Sequence, residues 1–300
     1  MNQHTKKFCA PHKAENVGDF SGVGVNLLSP TNIKILLNKY EAKVSKGLGQ
    51  NFLIDKNVLD KIIEASDIKP NNVILEVGPG LGTLTQELAR RAKKVIAVEK
   101  DKTMIEILKE TLKNFNNVEI IQGDILKLNP KCYTLNPYKV VANIPYYLTS
   151  PLIRKFLESD NQPTEIILML QKEVAQRICS KPKDMNLLAV SVQFYAEPKI
   201  VSYVSKNCFW PAPKIDSVII KIVSTKYFRE SPAFAKIFFK VVKAGFSQPR
   251  KQLGNNLSKM LKLKKTQTEK WLVENKINPS QRAETLSIDD WKNLTKTFPI

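Results

Sequence analysis

Glycines and carboxylates stand where three successive apolar segments end, and together they suit a nucleoside cofactor. The first segment runs into a turn with a G-x-G-x-G pattern, Gly78, Gly80 and Gly82. Glycines in such a turn let a ligand approach the backbone closely. Glu99 ends the second segment, where a carboxylate can accept both hydroxyls of an adenosine ribose. Asp124 follows the third segment and can accept a hydrogen bond from an adenine amino group.

The glycine turn leaves two cofactors open, a nicotinamide dinucleotide and S-adenosylmethionine. Dinucleotide enzymes carry G-x-G-x-x-G with the pyrophosphate at a helix N-terminus, whereas Thr83 stands here where the last glycine would be. A glycine turn alone is weak evidence, because tight turns without a ligand also need glycine. The end of the fourth apolar segment decides between the two.

That segment ends in Asn143-Ile144-Pro145-Tyr146, whose groups suit methyl transfer to an adenine amine. The N6 lone pair is delocalised into the ring, so the amine is a poor nucleophile unless both of its hydrogens are accepted. The Asn143 side-chain oxygen and the Ile144 carbonyl are the two expected acceptors. Pro145 stiffens the turn, and Tyr146 can stack on a base taken out of its helix. The alternative is a plain Asn-x-Pro turn at a strand end.

The elements that must position these residues are short apolar runs that alternate with helical patterns. Such alternation predicts an α/β fold in which helices cover both faces of a parallel sheet. The carboxyl ends of parallel strands meet at one edge, where open α/β sheets bind their ligands. The runs are 73–77, 95–98, 118–121, 139–142 and 166–170, and the helical patterns lie near 83–91, 101–113, 150–158 and 171–179.

Further elements are predicted on either side of this alternation. Ahead of it, Ser29 is the expected N-cap of a helix over 29–43, and Asp55 caps a second helix. Behind it, strand-like runs at 189–205 and 215–224 have no helix between them. These two runs predict an antiparallel hairpin at the sheet edge.

The charge of the chain indicates a polyanionic partner. The 300 residues include 47 Lys and Arg against 28 Asp and Glu, a net charge of +19. Nucleic acid is the usual partner of so large an excess, and a solvated basic surface is the alternative. Residues 226–300 are helical in pattern and hold 16 Lys and Arg against 6 Asp and Glu, which indicates a small basic helical domain. Pro249 is expected to open one of its helices, and residues 286–291 have the pattern of a capping box.

Other patterns exclude several classes of protein. Four scattered cysteines without a C-x-x-C pair predict neither a disulfide framework nor a zinc site, and they favour a reducing cytoplasm. His4, Cys9 and His12 lie close in sequence, but on so polar a segment they are expected to bind no metal. No apolar run approaches the ~18 residues of a membrane span. Residues 1–28 lack an apolar signal core and are expected to form a disordered extension.

Four motifs together resemble the rRNA adenine N6,N6-dimethyltransferases of the KsgA (RsmA) type. They are G-Q-N-F-L at 49–53, E-V-G-P-G-L-G at 76–82, N-I-P-Y at 143–146 and F-W-P-A-P-K-I-D-S at 209–217. The resemblance runs from about residue 31 to 298. It implies a class I S-adenosylmethionine-dependent methyltransferase domain of Rossmann-like fold, followed by a small all-α C-terminal domain. The expected domains are then 29–225 and 226–300.

The resemblance also implies roles for single residues. Asn51 and Leu53 would close over the cofactor, and Phe209 would form a second aromatic wall for the target adenine, opposite Tyr146. Arg250 and Lys251, expected at the start of a helix, would contact RNA phosphates. The residues that would line the pocket of S-adenosylmethionine are Gly78, Gly80, Glu99, Asp124 and Asn143.

The activity implied is the transfer of four methyl groups to two adjacent adenosines near the 3′ end of small-subunit (16S) rRNA, within an immature 30S particle. A monomer acting in the cytoplasm is expected. One alternative is the large-subunit rRNA adenine methyltransferase that confers macrolide resistance, which residues 186–193 and 282–287 disfavour. Another is a catalytically silent rRNA-binding assembly factor, which would be supported by loss of Glu99, Asn143 or Tyr146. A dinucleotide oxidoreductase would leave Asn143 and Tyr146 without a role.

Overall fold

The computed structural model describes residues 26–42, 44, 49–129, 137–225 and 231–299. His4, Cys9 and His12, most of the expected extension and the start of the expected C-terminal domain therefore lie outside the described residues. Leu27, which we assigned to that extension, is only 3% exposed and packs among apolar residues of the first helix. The packed part of the chain thus begins before residue 29, because Leu27 completes the apolar face of that helix.

In the described ranges, seven helices accompany the sheet, and local capping explains where the first two begin. The Ser29 hydroxyl accepts a hydrogen bond from the Asn32 N–H, and the Asp55 carboxylate accepts one from the Val58 N–H, as expected for N-caps. The first helix ends at Lys39, before the predicted residue 43. The helices are α1 (Pro30–Lys39), α2 (Lys56–Ser66), α3 (Thr83–Ala89), α4 (Lys102–Thr111), α5 (Thr149–Leu157), α6 (Lys172–Ile178) and α7 (Leu187–Gln193).

A seven-stranded sheet forms the centre of the molecule, as the alternating pattern predicts. Five parallel strands are β2 (Val73–Val77), β3 (Lys94–Glu99), β4 (Val118–Gln122), β5 (Tyr138–Asn143) and β6 (Glu165–Gln171). Their order is β4-β3-β2-β5-β6, so the direction of strand progression reverses between β2 and β5. Such a switch point leaves a crevice at the carboxyl ends of the two strands.

Two antiparallel strands complete one edge of the sheet, which confirms the predicted edge hairpin. They are β9 (Ser217–Ser224), beside β6, and β7 (Ala196–Val204), which is outermost. The prediction of strand over 189–195 is wrong, because α7 occupies 187–193. The Asn186 side chain accepts hydrogen bonds from the N–H groups of Leu188 and Ala189 and so caps this helix. The β-branched residues of the helix are more typical of a strand, which explains the wrong prediction.

A separate two-stranded ribbon lies near the crevice. It joins β1 (Phe52–Leu53) to β8 (Phe209–Trp210) in antiparallel register, with Leu53 opposite Phe209.

The central sheet itself is covered on both faces, because alternate residues of one strand enter different apolar clusters. Leu75 belongs to one cluster and Ile74 to the other, as expected for a doubly wound fold.

The last four helices have an apolar cluster of their own. They are α8 (Pro232–Gly245), α9 (Leu253–Leu261), α10 (Lys265–Glu274) and α11 (Ile288–Lys296). Trp271 and Trp291 are buried in this cluster, to which α7 contributes Val190 and its C-cap contributes Phe194, so α7 connects the cluster to the sheet. The predicted capping box is present, with Ser287 and Asp290 as its two partners.

The helix predicted to open at Pro249 is absent from this part of the described chain. Residues 247–251 form a turn instead, and α9 begins only at Leu253. The Asn256 side chain stabilises that turn, because it donates hydrogen bonds to the carbonyls of Gly245 (2.8 Å) and Gln248 (3.0 Å). Proline fits such a turn as well as it fits a helix start.

Candidate active site

One cavity of about 350 Å³ lies at the switch point between β2 and β5. A volume of this order suits a nucleoside-sized ligand. Eleven residues that the sequence singled out for cofactor binding or catalysis line this cavity. They are Asn51, Leu53, Gly78, Gly80, Glu99, Asp124, Asn143, Ile144, Pro145, Tyr146 and Phe209.

The glycine turn after β2 forms one wall of the cavity. Gly78 and Gly80 have φ angles of 66° and 58°, in the left-handed region that only glycine adopts without strain. A Cβ atom at Gly78 would lie 3.6 Å from Pro145, and one at Gly80 would lie 3.4 Å from the Phe52 ring. Side chains here would therefore strain the turn and fill space that a ligand needs.

Glu99 lines the cavity with its carboxylate fixed by backbone donors. Its carboxylate is largely buried and accepts hydrogen bonds from the backbone N–H groups of Gly80 (3.2 Å), Lys100 (2.7 Å) and Asp101 (2.9 Å). Burial raises the pKa of Glu99, and these three donors oppose the shift. Because backbone groups fix its orientation, the carboxylate can accept from a ligand without first reorganising.

Asp124 stands at the adjacent strand end. Burial opposes ionisation of its carboxyl, but hydrogen bonds from the Leu126 N–H and the Lys100 ammonium outweigh that effect and lower its pKa. Asp124 therefore remains an acceptor at neutral pH.

The charge of the cavity separates the two candidate cofactors. Among the residues described, the charged or titratable carboxyl and amine groups that line it are three carboxyls and the Lys100 ammonium, which is 3.2 Å from Asp124. Because burial keeps Glu76 mostly protonated, the negative charge comes from Glu99 and Asp124 and exceeds the single positive charge of Lys100. Such a wall repels a pyrophosphate and suits a cation. A glycine cradle, a ribose acceptor and a negative wall therefore fit S-adenosylmethionine, whose sulfonium is positive, better than a dinucleotide.

Asn143 is oriented by residues 49–51, which also line the cavity. Its Nδ2 donates to the Asn51 carbonyl at 3.4 Å, while the Asn51 Nδ2 donates to the Gly49 carbonyl at 3.0 Å. Within the described residues, neither Asn143 Oδ1 nor the Ile144 carbonyl receives a hydrogen bond. Both acceptors that the sequence predicts are therefore available to a ligand.

Two aromatic side chains line the same cavity. Tyr146 begins a short 3-10 turn, is half-buried and lines the cavity. Phe209 is only 3% exposed and is held in register with Leu53 by the β1–β8 ribbon. The ribbon therefore links the residue expected over the cofactor to the expected wall for the base.

Glu76 also lines the cavity, although it is not among the predicted site residues. A carboxyl inside an apolar strand is the feature of the sequence that could have indicated it. Glu76 is 2% exposed, and its Oε2 has no hydrogen-bond partner among the described residues. Burial raises the pKa of Glu76 to about 8; the nearby Thr85 hydroxyl offsets part of that shift, and the charge of Glu99 adds to it. Glu76 is therefore mostly protonated at neutral pH when no ligand is bound.

This protonation predicts a specific dependence of stability on pH. With the pKa raised on folding, Glu76 contributes stability that is fully present below about pH 4.5 and is lost as pH rises through about 8. In Glu76→Gln this titration is absent. The variant is expected to gain stability relative to the unsubstituted protein as pH rises from 5 to 8, by at most about 1.4 kcal/mol per pH unit. Urea denaturation of both ligand-free proteins at several pH values measures this difference, and a difference independent of pH would contradict a titrating Glu76.

Fold and site together define the class of protein. A doubly wound sheet with an antiparallel edge, and a nucleoside pocket where the strand order reverses, is the arrangement of class I S-adenosylmethionine-dependent methyltransferases. None of the helices in the described ranges has the length and apolar character needed to cross a membrane.

The particular family follows from comparison with known sequences. The model of the family described as "Ribosomal RNA adenine dimethylase" matches residues 41–299, and the chain belongs to this family. A Dehalococcoides mccartyi (strain CBDB1) protein named "Ribosomal RNA small subunit methyltransferase A" is 45% identical over 263 residues, which cover 87% of this chain and 90% of that protein. The protein of the same name from Clostridioides difficile (strain 630) is 42% identical over 276 residues, or 90% and 96% of the two chains.

Solved structures agree on the fold but do not separate a 23S rRNA methyltransferase from a dimethyladenosine transferase. The 23S rRNA methyltransferase ErmE has a TM-score of 0.70 and 26% identity, covering 82% of this chain and 99% of that one. A dimethyladenosine transferase from Plasmodium falciparum has a TM-score of 0.68 and 29% identity, covering 81% and 95%. Fold similarity is nearly equal in the two cases, so sequence identity is the better guide to substrate.

Proposed function

We propose that this protein transfers methyl groups from S-adenosylmethionine to N6 of two adjacent adenosines near the 3′ end of small-subunit (16S) rRNA, giving N6,N6-dimethyladenosines. The observation that carries this proposal is the identity of 45% with a relative named for the small subunit, against 26% with a 23S rRNA enzyme. The presence of Glu99, Asn143 and Tyr146 in one cavity supports an active enzyme over a silent assembly factor. We place its action in the cytoplasm, as a monomer, on an immature 30S particle.

The residues around the tetrapeptide would make the adenine amine reactive. Asn143 Oδ1 and the Ile144 carbonyl accept the two N6 hydrogens and so favour a nitrogen lone pair that points away from the ring plane. S-adenosylmethionine, held by the glycine turn, Glu99 and Asp124, would supply an electrophilic methyl carbon. The new N–C bond would use the nitrogen lone pair, and the electron pair of the broken C–S bond would stay on sulfur. The amine becomes acidic as the N–C bond forms, and solvent takes the proton. The residue at position 143 therefore needs only to accept a hydrogen bond, and methyl transfer requires no strong base there.

The last helices offer a surface for RNA phosphates. Arg250 and Lys251 lie in the exposed turn between α8 and α9, outside the cavity, and neither makes an ion pair with a described residue. They belong to a stretch, 231–268, that contains nine Lys and Arg and no Asp or Glu. Lys236, Lys240 and Lys243 are exposed at helical spacing on α8, which leads into the turn. Contacts of this kind position an RNA without reading its sequence.

Reversing the charges of Arg250 and Lys251 tests this surface. The double variant Arg250→Glu/Lys251→Glu is expected to weaken rRNA binding by about tenfold to a hundredfold and to lower the slope of log K against log salt by about 1 for each lost phosphate contact. Binding is measured by filter retention at several salt concentrations. A matched control is Lys69→Glu/Lys94→Glu, which changes the charge equally at the amino ends of the strands, opposite the cavity. Equal losses in the two double variants would assign the effect to net charge alone.

A cell lacking the gene tests the proposed function directly. Its mature small-subunit rRNA is expected to lack dimethyladenosine in nucleoside analysis by mass spectrometry, and a plasmid copy of the gene is expected to restore it. The catalytically silent alternative predicts that the modification is unchanged. The macrolide-resistance alternative predicts that a methylated adenosine is lost from large-subunit rRNA instead.

A further inference from the structure

Tyr146 is held at both ends, although the sequence suggests only that it stacks. At the backbone end, the Tyr146 carbonyl accepts a hydrogen bond from the Thr149 hydroxyl at 3.0 Å, and the Leu148 N–H closes the turn on Pro145. At the other end, the phenol oxygen and the Ser217 Oγ share a hydrogen bond of 2.8 Å. The side chain of Tyr146 therefore connects the tetrapeptide to the first residue of β9.

Ser217 is itself fixed by the sheet. It is fully buried at the start of β9, where it pairs with Gln171 of β6 and with Val204 of β7. The preceding residue is also tied down, because the Asp216 carbonyl accepts from the Lys172 N–H and its carboxylate accepts from the Lys206 N–H. Ser217 is fully buried and is not among the residues that line the cavity.

We propose that Ser217 is a positioning residue, whose hydroxyl fixes the Tyr146 ring in the orientation that receives the target adenine. This inference rests on the proposed function. A stacking surface that is already ordered costs less entropy when the base arrives than one that must be immobilised on binding. Loss of the Ser217 hydroxyl leaves the ring attached at one end only and leaves the half-buried phenol without its partner.

A double-mutant cycle separates this role from a merely structural one. The proteins are the unsubstituted chain, Ser217→Ala, Tyr146→Phe and the double variant, and the measured quantity is the single-turnover rate of methyl transfer at saturating S-adenosylmethionine. Ser217→Ala is expected to slow transfer by about threefold to tenfold. In the Tyr146→Phe background, where the phenol oxygen is absent, the same substitution is expected to have no further effect. Equal slowing in both backgrounds, or no slowing in either, would overturn the proposal.

A second readout reports stacking without any methyl transfer. An rRNA fragment with 2-aminopurine at the first target position loses fluorescence when that base stacks on an aromatic ring. Quenching is expected to be weaker with Ser217→Ala than with the unsubstituted chain, and cofactor affinity is expected to be equal. The matched control is Ser224→Ala at the opposite end of β9, where a nearly buried hydroxyl donates to the Pro163 carbonyl at 2.6 Å. This control is expected to lower stability while leaving rate and quenching unchanged.

Failure of the inference and failure of the proposed function give different results. If the unsubstituted chain methylates large-subunit rRNA instead, the proposed function fails, and the cycle is run on that RNA. If the unsubstituted chain methylates small-subunit rRNA and the two substitutions act independently, only the role of Ser217 fails. Full quenching by Ser217→Ala would refute that role even if no RNA is methylated.

Discussion

Replacing Asn143 by alanine is expected to slow methyl transfer by about a hundredfold to a thousandfold, by analogy with the loss of one preorganised oxyanion donor, which costs ~2.7–4 kcal/mol. In the proposed mechanism, Asn143 Oδ1 is one of two acceptors for the adenine amine, and alanine would leave an N6 hydrogen without its partner as the nitrogen attacks. The remaining acceptor is a backbone carbonyl, that of Ile144, which cannot move to replace it.

The same substitution is expected to leave most of the affinity for S-adenosylmethionine intact. Among the described residues, the only hydrogen bond that the Asn143 side chain makes is the long one to the Asn51 carbonyl, 3.4 Å. Single-turnover rates measure the chemical step, and calorimetry measures cofactor binding. Asn117→Ala is a matched control, because Asn117 donates to the carbonyls of Ala89 and Ala92, away from the cavity, and its loss is expected to affect stability alone. Turnover near that of the unsubstituted protein in Asn143→Ala would refute the assigned role.

Replacing Glu99 by alanine is expected to weaken S-adenosylmethionine binding by about a hundredfold or more. Two ribose hydroxyls would each lose a charge-assisted hydrogen bond, and such bonds contribute roughly 1.5–3 kcal/mol each. Because the carboxylate also holds the N–H groups of Gly80, Lys100 and Asp101, the turn around the ribose would lose its anchor as well.

Calorimetric titration with S-adenosylmethionine and with S-adenosylhomocysteine measures the effect of Glu99→Ala. Both ligands contain the same ribose, so both are expected to lose affinity by the same factor. Glu106→Gln is the control, since Glu106 is exposed on α4 and pairs only with Lys109 in the described structure. Unchanged affinity in Glu99→Ala would place the ribose elsewhere in the cavity.

Local patterns were sufficient to predict most of the sheet. Buried parallel strands are short apolar runs, and each predicted run lies within two residues of the observed strand ends. Patterns of side-chain type failed where one capping or turn residue decides the structure. Asn186 caps α7, where the apolar and β-branched residues predict a strand. Asn256 stabilises a turn over 247–251, where Pro249 predicts the start of a helix.

The site was predictable to the extent that it follows strand ends. Glu99, Asp124 and Asn143 each follow or end a parallel strand, and topology alone brings such positions together. The bond between Tyr146 and Ser217 could not be predicted in this way, because it joins residues 71 positions apart through the packing of β9 beside β6. Similarly, the raised pKa of Glu76 depends on complete burial, which a strand pattern indicates only after the helices on both faces are known.

The most direct test of the central claim is to map where the protein places methyl groups. Purified protein is incubated with labelled S-adenosylmethionine and, in parallel, with immature small subunits and with protein-free large-subunit rRNA, and the label is mapped to nucleotides. We predict dimethyladenosine at two adjacent positions near the 3′ end of small-subunit rRNA and none in large-subunit rRNA. Label confined to large-subunit rRNA, or no label despite bound cofactor, would contradict the proposed function.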